Sequence, residues 1–71
     1  MARPKPPLVR ALVKARHDAG LTQRTLADDM QIQPALLARW ETGQHAPTLT
    51  SLQRWAYSLG YDLTLTRRDG R

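Results

Sequence analysis

Few side chains in this sequence are of a type that does chemistry, and their spacing argues against most reactions. His17 and His45 have no cysteine or carboxylate at a metal-ligand interval. Two isolated histidines rarely build a site, so both are expected to face solvent. Asp28 and Asp29 are consecutive; on a helix they point about 100° apart, which suits a hydrated surface better than an acid–base couple. The absence of cysteine removes thiolate nucleophiles, thiolate zinc sites, iron–sulfur clusters and disulfides together. No glycine-rich phosphate loop is present. The expectation is a protein that is not an enzyme and binds no cofactor or metal.

What remains is charge. Eleven Lys and Arg against six Asp and Glu leave a net +5 on 71 residues, with a pI near 10.8. So strong a positive field around so small a body favours a polyanionic partner. A chain of this length holds one domain with one small core and has no room for a deep catalytic cleft. No apolar run approaches the ~20 residues of a membrane span, and residues 1–7 lead into no signal-type apolar stretch. A soluble, unexported, cytoplasmic protein with no membrane partner is therefore expected.

The elements that must position these charges read as helices. Leu (eleven) and Ala (nine) dominate, Phe is absent, and only three residues are Val or Ile. Residues 3–7 carry three prolines with Arg3 and Lys5 and bury nothing, so residues 1–7 are expected to form a flexible basic arm. A first helix is expected over about residues 8–19, with Leu8, Val9, Leu12, Val13 and Ala15 at helical spacing and Gly20 ending it. Thr22 caps a second helix over residues 23–30, whose Leu26, Ala27 and Met30 form a stripe. After a break at residues 31–33, Pro34 opens a third helix to about Thr42, with Leu37 and Trp40 inward and Gly43 closing it. Thr48 caps a fourth, burying Leu52, Trp55, Ala56 and Leu59 and ending at Gly60. Trp40 and Trp55 serve as core anchors on these stripes rather than as base-stacking platforms.

Residues 61–66 change period. Tyr61, Leu63 and Leu65 alternate with polar residues, which predicts a short half-buried strand. Every other segment is helical or irregular, so the expected partner is the same strand of a second copy, giving a two-fold homodimer. The predicted organisation is an arm at 1–7, an all-α four-helix domain at 8–60, and a dimerisation strand with a basic tail at 61–71. Arg67, Arg68 and Arg71 either approach nucleic acid or keep the strand end solvated.

Two short helices joined by a three-residue break form the unit that offers one helix to the major groove of DNA. The run Gly20-Leu21-Thr22-Gln23, Leu26-Ala27, Ile32, then Leu37-Ala38-Arg39-Trp40-Glu41-Thr42-Gly43 and Pro47-Thr48-Leu49-Thr50-Ser51-Leu52 resembles the lambda-repressor/Cro-type (Xre) helix-turn-helix over about residues 8–60. The end, Leu59-Gly60-Tyr61-Asp62-Leu63-Thr64-Leu65-Thr66, resembles HipB-type antitoxins, small Xre proteins whose final strand pairs between subunits. Three positions depart from the pattern. Gln31 stands where the turn usually has Gly, Gln33 replaces the usual Ser or Thr cap of the recognition helix, and Thr25 occupies a common capping-box Glu position.

The resemblance implies a sequence-specific double-stranded DNA-binding regulator. It would be a repressor on a pseudo-palindromic operator, either a phage or plasmid repressor or an autoregulating antitoxin with a toxin partner. On this framework Gln33, Pro34, Ala35, Leu36, Ala38 and Arg39 face outward from the third helix. Arg39 fits guanine O6 and N7, or else clamps a phosphate. Ala35 and Leu36 suit thymine methyls, Leu36 alternatively a dimer or core contact, and Gln33 suits adenine or a phosphate. The resemblance makes Gln23 a phosphate ligand at the start of the second helix. It also makes Arg16 and Glu41 a structural ion pair. Thr42, Gln44 and His45 contact phosphates or merely furnish a polar loop. Arg3 and Lys5 either reach the minor groove and phosphates or belong to a solvated tail. The rival reading is a protein-interaction module that uses the Ala35–Leu36 face and binds DNA only weakly and without sequence preference.

Overall fold

A computed structural model describes residues 5–69 as four helices: α1 (Pro7–Asp18), α2 (Gln23–Met30), α3 (Pro34–Thr42) and α4 (Leu49–Ser58). The expected Arg3 and Arg71 roles lie outside the described residues. Pro7 is the first residue of α1 rather than the last of an arm, because proline presets the helical φ and lacks an N–H that would be unpaired there anyway.

Two helices start on a hydroxyl. Thr22 Oγ1 accepts from the Thr25 N–H at 3.0 Å and Thr48 Oγ1 from the Ser51 N–H at 3.1 Å, each satisfying one of the donors a helix leaves free in its first turn. α3 starts differently: Gln33 makes no side-chain cap bond, and Pro34 alone sets the first turn.

The four helices end alike. The N–H groups of Leu21, Ile32, Gln44 and Tyr61 reach back to the carbonyls of Arg16, Ala27, Arg39 and Ala56 at 2.9–3.1 Å, the six-to-one closure of a helix that reverses through a left-handed residue. At three ends that residue is glycine. At the end of α2 it is Gln31, with φ 59° and ψ 43°, a conformation costing an L-residue about 1–2 kcal/mol. The turn survives because Ile32 then packs against the core, and burying an isoleucine returns about 1.5–3 kcal/mol at most.

That core is Val9, Leu12, Leu26, Ala27, Met30, Leu37, Trp40, Trp55 and Ala56. α2 packs against both α3 and α4, and α1 packs against α3. The two indoles pack with centroids 5.8 Å apart at a 30° tilt, within the range favoured by aromatic pairs. Trp55 is fully enclosed, and its Nε1 has no partner among the described residues.

Among the described residues there is no strand. Residues 61–67 have no regular secondary structure, because a strand is defined by a hydrogen-bonded neighbour and a single copy of this chain supplies none. Of the three alternating apolar residues, Leu63 packs against the helical core, whereas Tyr61 is 59% and Leu65 103% exposed.

Candidate nucleic-acid interface

α3 presents two unlike faces. Leu37, Trp40 and Glu41 are buried, while Gln33, Ala35 and Arg39 are exposed. Pro34 and Ala38 are half-buried. For Leu36 the structure has the alternative, a core contact: it is half-buried against the core rather than free on the outer surface. α3 packs on both α1 and α2, so its inward arc is wider than a two-residue stripe, and Leu36 lies only about 100° from Leu37. The side chains left facing outward are one guanidinium, one amide, one methyl and, in the last turn, the Thr42 hydroxyl.

Behind this helix lies an ionic cluster. Arg16 Nε donates to Glu41 Oε2 at 2.8 Å and Arg16 Nη2 to Glu41 Oε1 at 2.9 Å, a two-pronged pair that suits the planar guanidinium. Both residues are buried, at 7% and 4% exposure. Arg16 Nη1 donates to the Leu21 carbonyl at 2.8 Å, so the cation is held by α1's own exit loop as well as by α3. Gln23, expected to be free for a phosphate, is half-buried, and its Nε2 donates to Glu41 Oε1 at 2.9 Å. One amide hydrogen is therefore already committed inside the protein.

The other expected phosphate ligands differ in readiness. Gln44 and His45 are exposed on the loop after α3. The Thr42 hydroxyl donates backward to the carbonyls of Ala38 at 3.0 Å and Arg39 at 3.3 Å. Its proton is thus spent within the helix, and a phosphate can only accept. Lys5 is half-buried and His17 exposed. Lys14 donates to Asp18 at 2.7 Å, and this hydrogen bond, with the carboxylate charge behind it, holds the ammonium above its ordinary lysine pKa. Arg24, exposed in the first turn of α2 beside Gln23, was not singled out by the sequence pattern. Nor was Arg54, whose Nη2 donates to the Met30 carbonyl at the negative end of α2. A cation that reaches a helix end from 24 residues further along the chain leaves no local signal.

The helix-turn-helix family profile matches residues 4–65. The chain belongs to the helix-turn-helix family. Its helix-turn-helix unit is α2 and α3, hinged at Gln31, and this family assigns the molecule to DNA-binding proteins. Two solved structures align over nearly the whole helix-turn-helix chain. A HipB–O1–O2 complex gives a TM-score of 0.79 at 27% identity over 94% of this chain and 97% of the other. A HipA–HipB–O2–O3 complex gives 0.78 at 27% identity over 94% of each. None of the curated proteins matches in sequence.

Proposed function

We propose that this protein is a homodimeric repressor that reads a pseudo-palindromic operator with two copies of α3 and regulates by occupying the site. The observation that carries the reading is the division of α3 into a buried face and an outward Gln33–Ala35–Arg39 edge, on a chain that aligns with HipB in complexes. Arg39 supplies the main base contact, through its fork on guanine. Ala35 adds a methyl contact and Gln33 an adenine or phosphate contact. Leu36, being half-buried, contributes at most its exposed edge to a thymine methyl. Gln23, Gln44 and His45 fix the register on phosphates, with Lys5 and Arg3 adding charge and Thr42 a weaker contact. Residues 61–66 pair across the two-fold axis through Tyr61 and Leu65, with Leu63 bridging to the helical domain, and space the two recognition helices by about 34 Å.

Alignment with a HipA–HipB complex supports a second step, in which the dimer is the antitoxin partner of a toxin protein and regulates its own operon. The rival interaction-module reading is weakened by Leu36, because the apolar face it needs is partly used within the monomer.

Selection from a random duplex pool, followed by binding of the selected duplex and a scrambled one, tests the proposal. Arg39→Ala should cost about 10–100-fold on the selected duplex, matching about 1–3 kcal/mol for a bidentate base contact. It should leave the scrambled duplex affected only weakly and the thermal midpoint unchanged. Equal affinity of the wild-type protein for every duplex would overturn it.

A further inference from the structure

Glu41 stands where two functions meet. It is the eighth of the nine residues of α3, it is buried, and its carboxylate receives three hydrogen bonds: two from Arg16 and one from Gln23. Oε1 carries both the Arg16 Nη2 bond and the Gln23 Nε2 bond, each at 2.9 Å. Arg16 is itself fixed from the far side by the Leu21 carbonyl. The carboxylate therefore cannot turn without breaking a buried ion pair.

This rigidity dictates the orientation of Gln23. A carboxylate facing a guanidinium only accepts, so the amide must turn its NH2 end, never its carbonyl, toward Glu41. A free glutamine amide rotates over a broad two-fold profile and offers an oxygen as often as a nitrogen. An oxygen turned toward a phosphate repels it. Gln23 is also the first residue of α2, where backbone N–H groups are left without helical partners and the helix dipole is positive; Thr22 takes only the Thr25 N–H.

We infer that Glu41 is a positioning residue for DNA binding: held by Arg16, it fixes the Gln23 amide so that the second Nε2 hydrogen joins the free first-turn N–H groups of α2 in receiving a phosphate. The inference rests on the phosphate role of Gln23 proposed above. One carboxylate then ties the last turn of the recognition helix to the first turn of the helix that grips the backbone, so base reading and backbone register share a single fixed point. The ordering of the Gln23 side chain is completed on folding, before DNA arrives.

A four-protein cycle tests this on the full chain: wild type, Gln23→Ala, Glu41→Gln and the double variant. Each is titrated with the duplex selected from the random pool, at one salt concentration and at a temperature where circular dichroism shows it folded. Glu41→Gln keeps the shape but leaves one acceptor oxygen where the carboxylate had two, so Arg16 and Gln23 compete for it and the orientation of the Gln23 amide is no longer fixed. Binding should weaken about tenfold per half-site, the order of one hydrogen bond to a charged acceptor. In the Gln23→Ala background the same change should cost nothing further in binding, while it still lowers the thermal midpoint there through the weakened Arg16 pairing.

A merely structural Glu41 would weaken binding by the same factor with and without Gln23, and that result overturns the inference. If Gln23→Ala binds as wild type, the phosphate contact itself is wrong, and the inference falls with it for that distinguishable reason. Should Glu41→Gln not fold, side-chain amide spectra of the wild-type protein decide. The chain has five glutamines and no asparagine, so the pairs are few. One Gln23 Nε2 hydrogen should be protected from exchange in the free protein, and the other should shift only on adding duplex. Two rapidly exchanging hydrogens, like those expected of exposed Gln31, Gln44 and Gln53, would refute the claim.

Discussion

After Gln31 and after Gly60 the chain leaves a helix through the same left-handed geometry, with the same six-to-one hydrogen bond behind it. The outcomes are opposite. Beyond Gln31 the next large apolar residues, Ile32, Leu36 and Leu37, all reach the core, and the chain continues as α3. Beyond Gly60 only Leu63 reaches it, and the chain continues without regular structure, with Tyr61 and Leu65 in solvent. Backbone geometry at a helix stop therefore does not set the path of the chain beyond it. The side chains that come next decide whether the chain closes on itself or leaves surface for another molecule to cover.

Three substitutions test how separate the two regions are. The largest effect belongs to the helical body. Arg16→Met strands the Glu41 carboxylate, which should cost about 3–5 kcal/mol, a large share of the roughly 4–11 kcal/mol that a chain of this length commands. Chemical denaturation should find the unfolding free energy of the variant lower by about 3–5 kcal/mol; a loss under about 1 kcal/mol would mean that solvent reaches the pair. Next comes the tail. On the proposed dimer, Leu65→Asp should weaken self-association about 10–100-fold by sedimentation, from the value of one buried leucine, while leaving the melting of dilute protein unchanged. If dilute protein melts earlier, Leu65 belongs to the body and the contrast fails. The smallest effect is at the turn itself. Gln31→Gly relieves the left-handed strain but adds freedom to the unfolded chain, for a net gain of about 0.5–1 kcal/mol. A loss would show that the Gln31 side chain holds something that glycine cannot.

Much of the helical body is legible in the sequence because its punctuation is local. Thr22, Thr48, Pro34 and three glycines each act within a turn of their own position, and the four observed helices begin and end within about a residue of where those signals put them. Legibility fails where a decision depends on a distant partner. Leu36 reads as outward on a nine-residue helix considered alone, and it turns inward only because α1 and α2 both flank α3. Gln23 reads as a free first-turn amide; its bond to a carboxylate 18 positions later has no local trace. The alternation at residues 61–66 is a clear signal, yet a strand needs a second strand, and a period-two pattern does not say where that strand comes from. For the candidate interface, the exposed Arg39 and Gln33 follow from the helical stripe alone, whereas the state of Gln23 and Thr42 required the positions of neighbouring atoms.

The packing of Trp40 on Trp55 also equips the molecule with its own optical gauge. These are the only two tryptophans, both lie in the core, and their rings are close enough to couple electronically. Emission colour should therefore follow melting of the helices and remain indifferent both to what the residues after Gly60 touch and to what lies along the outer edge of α3. A titration that quenches or shifts it would be reporting a rearranged interior, not an occupied surface.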